Sequence, residues 1–274
     1  MTSRPMPGGW STAVSSWLSW LRASGRPEST IKLRTTQLRR LAEAHPDRAP
    51  YSLSVDDLAE WLGAHAWAAE TLRSHRAAVR GFYTWAHATG RAHVNPAAFL
   101  PTVKAAEGKP RPAPDPVIRS SRLRADPRDE RMIRLASEAG LRSCEICKVH
   151  TDDVEPDMLG WSLRVKGKGG RVRLVPLSDG LASMLRNAPP GYVFPGRIEG
   201  HLSAAYVSKR LSRALDGDYT GHQLRHRFGS VAYSAERDLR AVQELLGHTR
   251  PETTARYVLV PDGAKRTAVM AAAS

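Results

Sequence analysis

Apolar side chains recur every three or four positions through residues 10–90, which is the period of a helix that is buried on one face. The first such stripe runs from Trp10 to Leu21, and Gly25 follows it as a stop signal. Three further stripes follow, over residues 29–44, 54–62 and 72–86. The pattern predicts four short amphipathic helices that pack as a small bundle.

Two details refine the prediction for this bundle. Ser54, with an acidic residue three positions later at Asp57, has the pattern of an N-cap for the third helix. Trp10, Trp17 and Trp61 lie on the apolar faces of their helices, so we expect them in the core of the bundle rather than on a surface that stacks on DNA bases.

The helical pattern stops at Asn95, and four prolines alternate with other residues between Lys109 and Pro116. Alternating prolines favour an extended backbone and interrupt helices, so we expect a Pro-rich linker over residues 106–119. The linker separates a helical domain over residues 1–105 from a second domain over residues 120–274, and a chain of this length suits two domains.

The second domain has a mixed pattern, in which helices flank one hairpin. Two β-prone runs surround a glycine-rich turn at 167–170, which is typical of a β-hairpin. Gly140 and Gly247 are stop signals for the first and last helices. The predicted strands cover 161–165 and 171–175, and the predicted helices cover 128–139, 202–215, 222–234 and 238–246. The fold class is therefore mainly α with a small β-sheet.

The positive charge of the chain limits the kinds of partner it can have but does not identify one. Lys and Arg number 41 against 27 Asp and Glu, which gives a net charge of +14, and 33 of the basic residues are Arg. Residues 1–105 contribute +6 and the remainder contributes +8, which excludes a single basic tail. The surplus favours either a polyanionic partner or a solubilising surface, and high-GC codon usage would also favour arginine.

Other features bear on where the protein works. No apolar run approaches the roughly 20 residues that span a bilayer, so we expect no membrane partner. Residues 1–20 lack the continuous apolar stretch of a secretion signal. Two cysteines cannot form a disulfide framework, which fits a reducing compartment. The expected location is cytoplasmic.

Six residues of the second domain follow one another in an informative order. Singly each is commonplace, because an arginine before a helix usually forms a surface ion pair and a lysine in a glycine turn is usually solvated. The six are Arg142 in Gly-Leu-Arg-x-x-Glu, Lys168 in Gly-Lys-Gly, His222 and Arg225 in His-x-Leu-Arg-His, His248 in Leu-Gly-His, and Tyr257 nine residues later. This order resembles the tyrosine recombinase family, which includes the lambda-type integrases and the Xer and Cre recombinases.

The resemblance implies a catalytic role for these residues. Arg142 and Arg225 would hold the scissile phosphate through paired, charge-assisted hydrogen bonds, and Glu145 would be the acidic residue that accompanies Arg142. Tyr257 would be the nucleophile. A phenol has a pKa of about 10, so it must lose its proton as it attacks, and His222 is the candidate acceptor.

Two more residues complete the implied site. Lys168 would protonate the departing 5′ oxygen as general acid, and His248 would hydrogen-bond the phosphate and position the tyrosine. Because the two arginines would supply the positive charge, no metal and no cofactor is expected. Cys144 and Cys147 have the spacing of half a zinc site or of a redox site, but the sequence lacks the usual second ligand pair and a thioredoxin-like pattern around them.

The family resemblance also implies a reaction and its partners. The expected activity is recombination between double-stranded DNA attachment sites through a 3′-phosphotyrosyl intermediate. A tetramer would assemble on DNA from protomers that are monomeric or weakly associated off it, and a directionality or DNA-bending factor would be a further partner. The N-terminal bundle would be the family's core-binding (SAM-like) domain, and the location would be the cytoplasm or nucleoid of a bacterial host.

Several roles stay open. An Arg- and Ala-rich chain whose bundle starts almost at the first residue resembles a short actinobacteriophage integrase without an arm-binding domain, so integration or excision of a phage or mobile element is preferred. The alternatives are a Xer-type chromosome or plasmid dimer resolvase, a type IB topoisomerase-like nicking and closing enzyme, and a catalytically silent DNA-binding regulator. The tail after Tyr257 would either dock onto a neighbouring protomer or fray.

Overall fold

The computed structural model describes residues 6–104, 111–167, 170–247 and 270 of the chain. The chain divides into two compact units, Met1–Glu107 and Gly108–Ser274. Each unit has an apolar core of its own. No helix within the described ranges is long and apolar enough to cross a membrane.

The first unit contains the four predicted helices. They are α1 (Trp10–Ala23), α2 (Glu28–Ala44), α3 (Val55–Gly63) and α4 (Ala69–Ala88). Gly25 has a φ of +68° just after α1, a left-handed conformation that glycine adopts without steric cost. The Ser54 hydroxyl accepts from the backbone N–H of Asp57, and the Asp57 carboxylate accepts from the backbone N–H of Ser54. The predicted cap of α3 is therefore confirmed.

Aromatic rings fill the centre of this unit. Trp10 and Phe82 stack with ring centroids 6.2 Å apart, and Trp17 meets the same phenylalanine edge-on at 5.8 Å. Trp10, Trp17 and Trp61 are all buried, so the prediction that they pack in the core is confirmed. Rings of this size contribute a large share of the buried apolar area in so small a core.

The second unit combines helices with short strands. Its first helices are α5 (Asp115–Arg124), α6 (Pro127–Ser137) and the single turn α7 (Ser143–Ile146). A 3-10 turn (Thr151–Asp153) and three strands follow, β1 (Val154–Pro156), β2 (Trp161–Lys166) and β3 (Val172–Leu177). The remaining elements are α8 (Asp179–Arg186), β4 (Pro195–Ile198), α9 (Ala204–Ala214), α10 (Gly221–Glu236) and α11 (Leu239–Leu246). The helices predicted here correspond to α6, α9, α10 and α11.

The segment predicted as an extended linker over 106–119 is partly helical. The helix α5 begins at Asp115, and Pro116 lies in its first turn, where the missing N–H of proline has no helical partner to lose. The backbone N–H of Ala113 donates to the carbonyl of Gln223 at 3.1 Å. The end of the predicted linker is therefore attached to α10 and belongs to the second unit.

The three strands β1, β2 and β3 form an antiparallel sheet in that order. Register pairs Trp161 with Leu177 and Leu163 with Val175, so the predicted hairpin is confirmed as β2 and β3. No pattern predicted β1, which pairs along the other edge of β2. Leu163, Val165 and Val175 are buried, so this sheet packs one face against the core of the second unit.

Candidate active site

The first candidate residue lies where the chain turns from α6 into α7. Gly140 has a φ of +63°, and Arg142 then precedes α7 as its N-cap residue. The Glu145 carboxylate accepts a hydrogen bond from the backbone N–H of Arg142 at 2.9 Å and another from its Nη1 at 3.0 Å. The Gly-Leu-Arg-x-x-Glu motif is therefore one closed turn, in which the glutamate fixes both the backbone and the guanidinium of the arginine.

The second arginine comes from the first turns of α10. Thr220 and Gln223 form a capping box there, which fixes where the helix starts. The Arg225 side chain is only 1% exposed and donates hydrogen bonds to two backbone carbonyl oxygens, those of Gly140 and Leu246. The cap on α10 and these two carbonyl groups together hold Arg225 in a single place.

The two arginines meet at the end of α11. Arg142 Nη1 donates to the carbonyl oxygen of Leu246 at 3.3 Å, and Arg225 Nη2 donates to the same oxygen. Leu246 is the last residue of α11, where carbonyl groups lack helical partners and carry the negative end of the helix dipole. Two guanidiniums that share one acceptor lie side by side, and Arg142 is the one that is partly exposed, at 37% against 1% for Arg225.

Glu145 is the buried counter-charge of this cluster. Its side chain is 3% exposed, and its Oε2 lies 3.7 Å from Arg225 Nη1. Burial alone would raise the pKa of this carboxyl, but the hydrogen bonds and charge of Arg173, then the backbone N–H of Arg142 and the charge of Arg225, hold its pKa below the ordinary value. Glu145 is therefore ionised at neutral pH.

Arg173, on β3, is a site residue that the sequence analysis did not identify. Its Nη1 and Nη2 donate to the two oxygens of Glu145, each at 2.9 Å, and its Nε donates to the carbonyl of Leu245 at 2.8 Å. One signal was present in the sequence. Arg173 lies two residues before Val175, so strand alternation places it on the same face as that buried valine.

Two histidines of α10 pack against each other next to Arg225. The rings of His222 and His226 meet edge to face with centroids 4.5 Å apart. Partial burial and the charges of Arg225 and Arg142 lower the pKa of His222. Burial, then the proximity of His222 and Arg225, lowers the pKa of His226 to about 4. Both imidazoles are therefore neutral at pH 7, and a neutral His222 can accept a proton.

The structure brings four of the predicted residues into one cluster: Arg142, Glu145, His222 and Arg225. The other three lie outside the described residues: Lys168, His248 and Tyr257. Their chain neighbours Gly167 and Gly247 are described, and both lie beside Arg173. A Cβ atom on Gly167 would lie 3.8 Å from Arg173 Nη1, and one on Gly247 would lie 3.0 Å from the same atom.

The two cysteines lie on either side of Glu145 in the chain. Cys144 is exposed, whereas Cys147 is buried with its Sγ 3.5 Å from the carbonyl oxygen of Cys144. In the parts of the chain that the structure describes, no cluster of three or more His, Cys, Asp or Glu residues has the arrangement of a metal site. Cys147 therefore serves as a small apolar side chain in the core of the second unit.

Comparison with known proteins places the chain in a family. The model of the phage integrase family matches residues 120–262. Tyrosine recombinase XerC of Xylella fastidiosa (strain M23) is 36% identical over 206 residues, which cover 69% of this chain and 69% of that protein. Tyrosine recombinase XerC of Chromobacterium violaceum is 30% identical over 271 residues, which cover 89% of each.

Solved structures agree on the fold. A lambda integrase dimer bound to a COC′ core site matches with a TM-score of 0.73 at 18% identity, over 90% of this chain and 76% of that one. The XerH recombinase bound to a palindromic difH substrate after cleavage matches with a TM-score of 0.69 at 19% identity, over 87% of this chain and 78% of that one. These structures share the fold, and the family match together with the XerC relatives shows that the chain belongs to the phage integrase family, the tyrosine recombinases.

Proposed function

We propose that this chain is a site-specific DNA recombinase, which cleaves and rejoins double-stranded DNA through a 3′-phosphotyrosyl intermediate with Tyr257 as the nucleophile. Membership of the tyrosine recombinases makes it a DNA breaking and rejoining enzyme. The observation that carries the proposal is the arginine pair. Arg142 and Arg225 share the carbonyl of Leu246 and lie beside one buried carboxylate, Glu145.

The arginine pair supplies what the reaction needs most. The non-bridging oxygens of a phosphodiester are already negative, and they gather more charge in the pentavalent transition state. Guanidiniums that are positioned before the substrate arrives stabilise that charge without reorganising, which is the largest single source of rate enhancement in many enzymes. Arg142 keeps 37% of its side chain exposed, so it can reach a phosphate, while Arg225 is fixed behind it.

Three further side chains would move protons or position the reacting groups. The Tyr257 oxygen attacks the phosphorus as the bond to the 5′ oxygen breaks, and the phenol proton passes to neutral His222. Lys168 gives a proton to the departing 5′ oxygen. His248 donates a hydrogen bond to the phosphate and orients the tyrosine. The products are a 3′-phosphotyrosyl linkage and a free 5′ hydroxyl.

Rejoining reverses these steps on a partner strand. The phosphotyrosyl ester retains the energy of the broken bond, so a free 5′ hydroxyl can attack it without ATP or a ligase. Among the relatives, lambda integrase has been solved as a dimer on a core site and as a tetramer on a Holliday junction. We infer that this chain also acts on double-stranded attachment sites as a tetramer, in the cytoplasm or nucleoid of a bacterial cell.

The biological role has two candidates. We infer integration or excision of a phage or mobile element from the Arg- and Ala-rich composition of the chain. The XerC relatives favour the second candidate, a chromosome dimer resolvase, since one of them is 30% identical over 89% of both chains. Deleting the gene in its own host separates the two roles. A resolvase mutant accumulates chromosome dimers, whereas an integrase mutant divides normally and loses only the movement of the element.

A denaturing gel tests the chemistry directly. The protein is incubated with a labelled pool of random-sequence duplexes, and we expect a fraction of the label to migrate with the denatured protein. Tyr257→Phe should abolish this band, because no other group is proposed to form the linkage. Tyr206→Phe is the matched control, since Tyr206 is an exposed tyrosine of α9 that should leave the band unchanged. Sequencing the captured DNA identifies the attachment site.

The same assay distinguishes the remaining alternatives. A covalent band that persists in Tyr257→Phe would rule out Tyr257 as the nucleophile. A wild-type protein that retards the duplex pool in a native gel but never forms a covalent band would be a silent regulator. A type IB topoisomerase-like enzyme would relax a supercoiled plasmid carrying the captured site without forming recombinants. We expect recombinant joints between two duplexes that carry the site.

A further inference from the structure

We propose that Arg173 is a positioning residue, which holds in place the two chain segments at Gly167 and Gly247, the residues that directly precede Lys168 and His248. The proposal rests on the proposed function, because these segments matter for catalysis only if the site cleaves DNA. Arg173 itself is not placed among the reacting groups. Its Nε, Nη1 and Nη2 all donate to protein acceptors, and its side chain is only 13% exposed.

The contacts of Arg173 join three segments that are far apart in the sequence. Arg173 belongs to β3, Glu145 lies in α7, and Leu245 lies at the end of α11. The pairing with Glu145 is bidentate, with two parallel hydrogen bonds at 2.9 Å, a geometry that fixes the orientation of both groups. Only a guanidinium can make these two bonds and also donate to Leu245 from its third nitrogen.

Two glycines lie against this guanidinium, and each directly precedes a proposed site residue. A Cβ on Gly247 would lie 3.0 Å from Arg173 Nη1 and 3.2 Å from its Cδ. A Cβ on Gly167 would lie 3.8 Å from the same Nη1 and 4.0 Å from Glu145 Oε1. Arg173 therefore occupies the space between the residue before Lys168 and the residue before His248.

The C-terminus of α11 explains why an arginine is suited to this place. The last carbonyl groups of a helix have no helical partners, and here Arg173 donates to Leu245 while Arg142 and Arg225 donate to Leu246. The end of α11 is thus bonded to the same three guanidiniums that surround Glu145. A shift of Arg173 would move the hairpin and the end of α11 relative to Arg142.

Loss of Arg173 should also change how the site responds to pH. Charged groups face Glu145 from three elements: Arg142 before α7, Arg173 on β3 and Arg225 on α10, while α11 contributes only carbonyl groups. Removal of Arg173 takes away one positive charge and two hydrogen bonds that stabilise the ionised Glu145 carboxylate, so the pKa of Glu145 rises. A protonated Glu145 no longer attracts Arg142, so cleavage should fail at a higher pH than in the wild type.

Three variants of the full chain test the proposal with the captured site DNA as the probe. Single-turnover formation of the covalent complex is measured from pH 4 to 8.5. We expect Arg173→Met to slow it about 100-fold, since an error of about 1 Å in a positioned group can cost that much. The acid limb of its pH–rate profile, where cleavage slows as the pH falls, should also move to higher pH. Arg173→Lys should keep the wild-type acid limb, because it retains the charge, while cleavage remains about 10-fold slow.

The matched control is Arg164→Met. Arg164 is on β2 of the same sheet and also pairs with a carboxylate, that of Glu155, but its side chain is 42% exposed and this ion pair includes no residue of the arginine cluster. It should cleave at the wild-type rate. A wild-type rate and an unchanged acid limb in Arg173→Met would overturn the proposal while leaving the proposed function intact. Failure of wild type to form any covalent complex would instead overturn the proposed function.

A measurement without DNA tests the placement itself and does not depend on cleavage. Gly167 donates its backbone N–H to the carbonyl of Arg171 at 2.7 Å, and Gly247 donates its own to the carbonyl of Glu244 at 3.0 Å. Hydrogen exchange at these two amides should accelerate at least about 10-fold in Arg173→Met and stay unchanged in Arg164→Met. Equal protection in Arg173→Met and wild type would contradict the positioning role.

One more variant covers the case in which Arg173→Met does not fold. Gly247→Ala keeps the arginine but places a methyl group against it, at a residue whose φ is +61°. We expect slower cleavage with the wild-type acid limb, since the charge on Arg173 remains beside Glu145. Wild-type cleavage by Gly247→Ala would show that the packing of Arg173 against this segment does not position the site.

Discussion

Glu145 shows how one carboxylate can organise a site built from cations. Three guanidiniums surround it, those of Arg142, Arg173 and Arg225, and a buried charge of this kind is tolerated only when it is paired and hydrogen-bonded. One negative charge against three positive charges leaves a surplus of two. The cluster is therefore held together by Glu145 and still attracts an anion, which is what a phosphodiester site requires.

The lowered pKa of His226 predicts that this one side chain makes the free energy of unfolding depend on pH. Its pKa falls to about 4 in the folded chain, so between that value and the ordinary 6.5 the unfolded chain binds one more proton. Stability should then decrease as the pH is lowered through this window, by about 2 kcal/mol between pH 7.5 and 5 from this group alone.

Urea denaturation of wild type and His226→Gln at the two pH values checks this prediction. The variant cannot bind that proton in either state, so we expect its loss of stability at pH 5 to be smaller than that of wild type by about the same 2 kcal/mol. An identical loss in both proteins would show that the acid sensitivity arises elsewhere.

The turn between α6 and α7 is an element whose conformation depends on one glycine. Gly140 has a φ of +63°, and a Cβ there would lie 2.4 Å from the ring of Phe228 on α10. Gly140→Ala should therefore combine left-handed strain with overpacking and destabilise the second unit by about 2–4 kcal/mol in urea denaturation. The same change should weaken cleavage, because the Gly140 carbonyl accepts a hydrogen bond from Arg225.

Gly170→Ala separates the two causes of that loss. Gly170 also has a positive φ, +76°, but among the described residues a Cβ there would meet no atom within 4 Å. It should cost only about 1 kcal/mol, the contribution of backbone strain alone. Equal losses for the two variants would mean that Phe228 moves aside freely and that the contact between α10 and the turn has little weight.

Helices whose apolar stripe runs over several turns, or whose first turn has a strong cap, could be predicted from the sequence. Elements of only one turn could not. The stripe from Trp10 to Leu21 spans three turns, so its period is unambiguous, and Gly25 ends it. The single turn α7 has only four residues, too few to show a helical period, and it is stabilised by the local bond from Arg142 to Glu145 together with tertiary contacts. Prolines around Asp115 suggested extended chain, but Pro116 is compatible with the first turn of a helix.

Some residues of the site could likewise be predicted from the sequence, and others only from the structure. Motif order identified Arg142, His222 and Arg225, which the fold does bring together, because the chemistry restricts these positions to particular residue types. It gave no indication of Arg173, and strand alternation only places this arginine on the same face as the buried Val175 without naming its partners. Its role depends on partners 28 and 72 residues away in the chain, which only the folded structure reveals.

At the scale of the whole molecule, the net charge of +14 predicts strongly salt-dependent DNA binding. Both parts of the chain carry a surplus, +6 over residues 1–105 and +8 over the rest, so each can displace counterions from DNA. About six phosphate contacts give a log-log slope near −5, or an affinity loss of about 1,000-fold between 50 and 200 mM salt. Fluorescence anisotropy with a labelled random duplex and the Tyr257→Phe variant, which cannot trap DNA covalently, measures this slope. A slope near −1 would mean that the surplus charge is a solubilising surface and that few arginines contact the backbone.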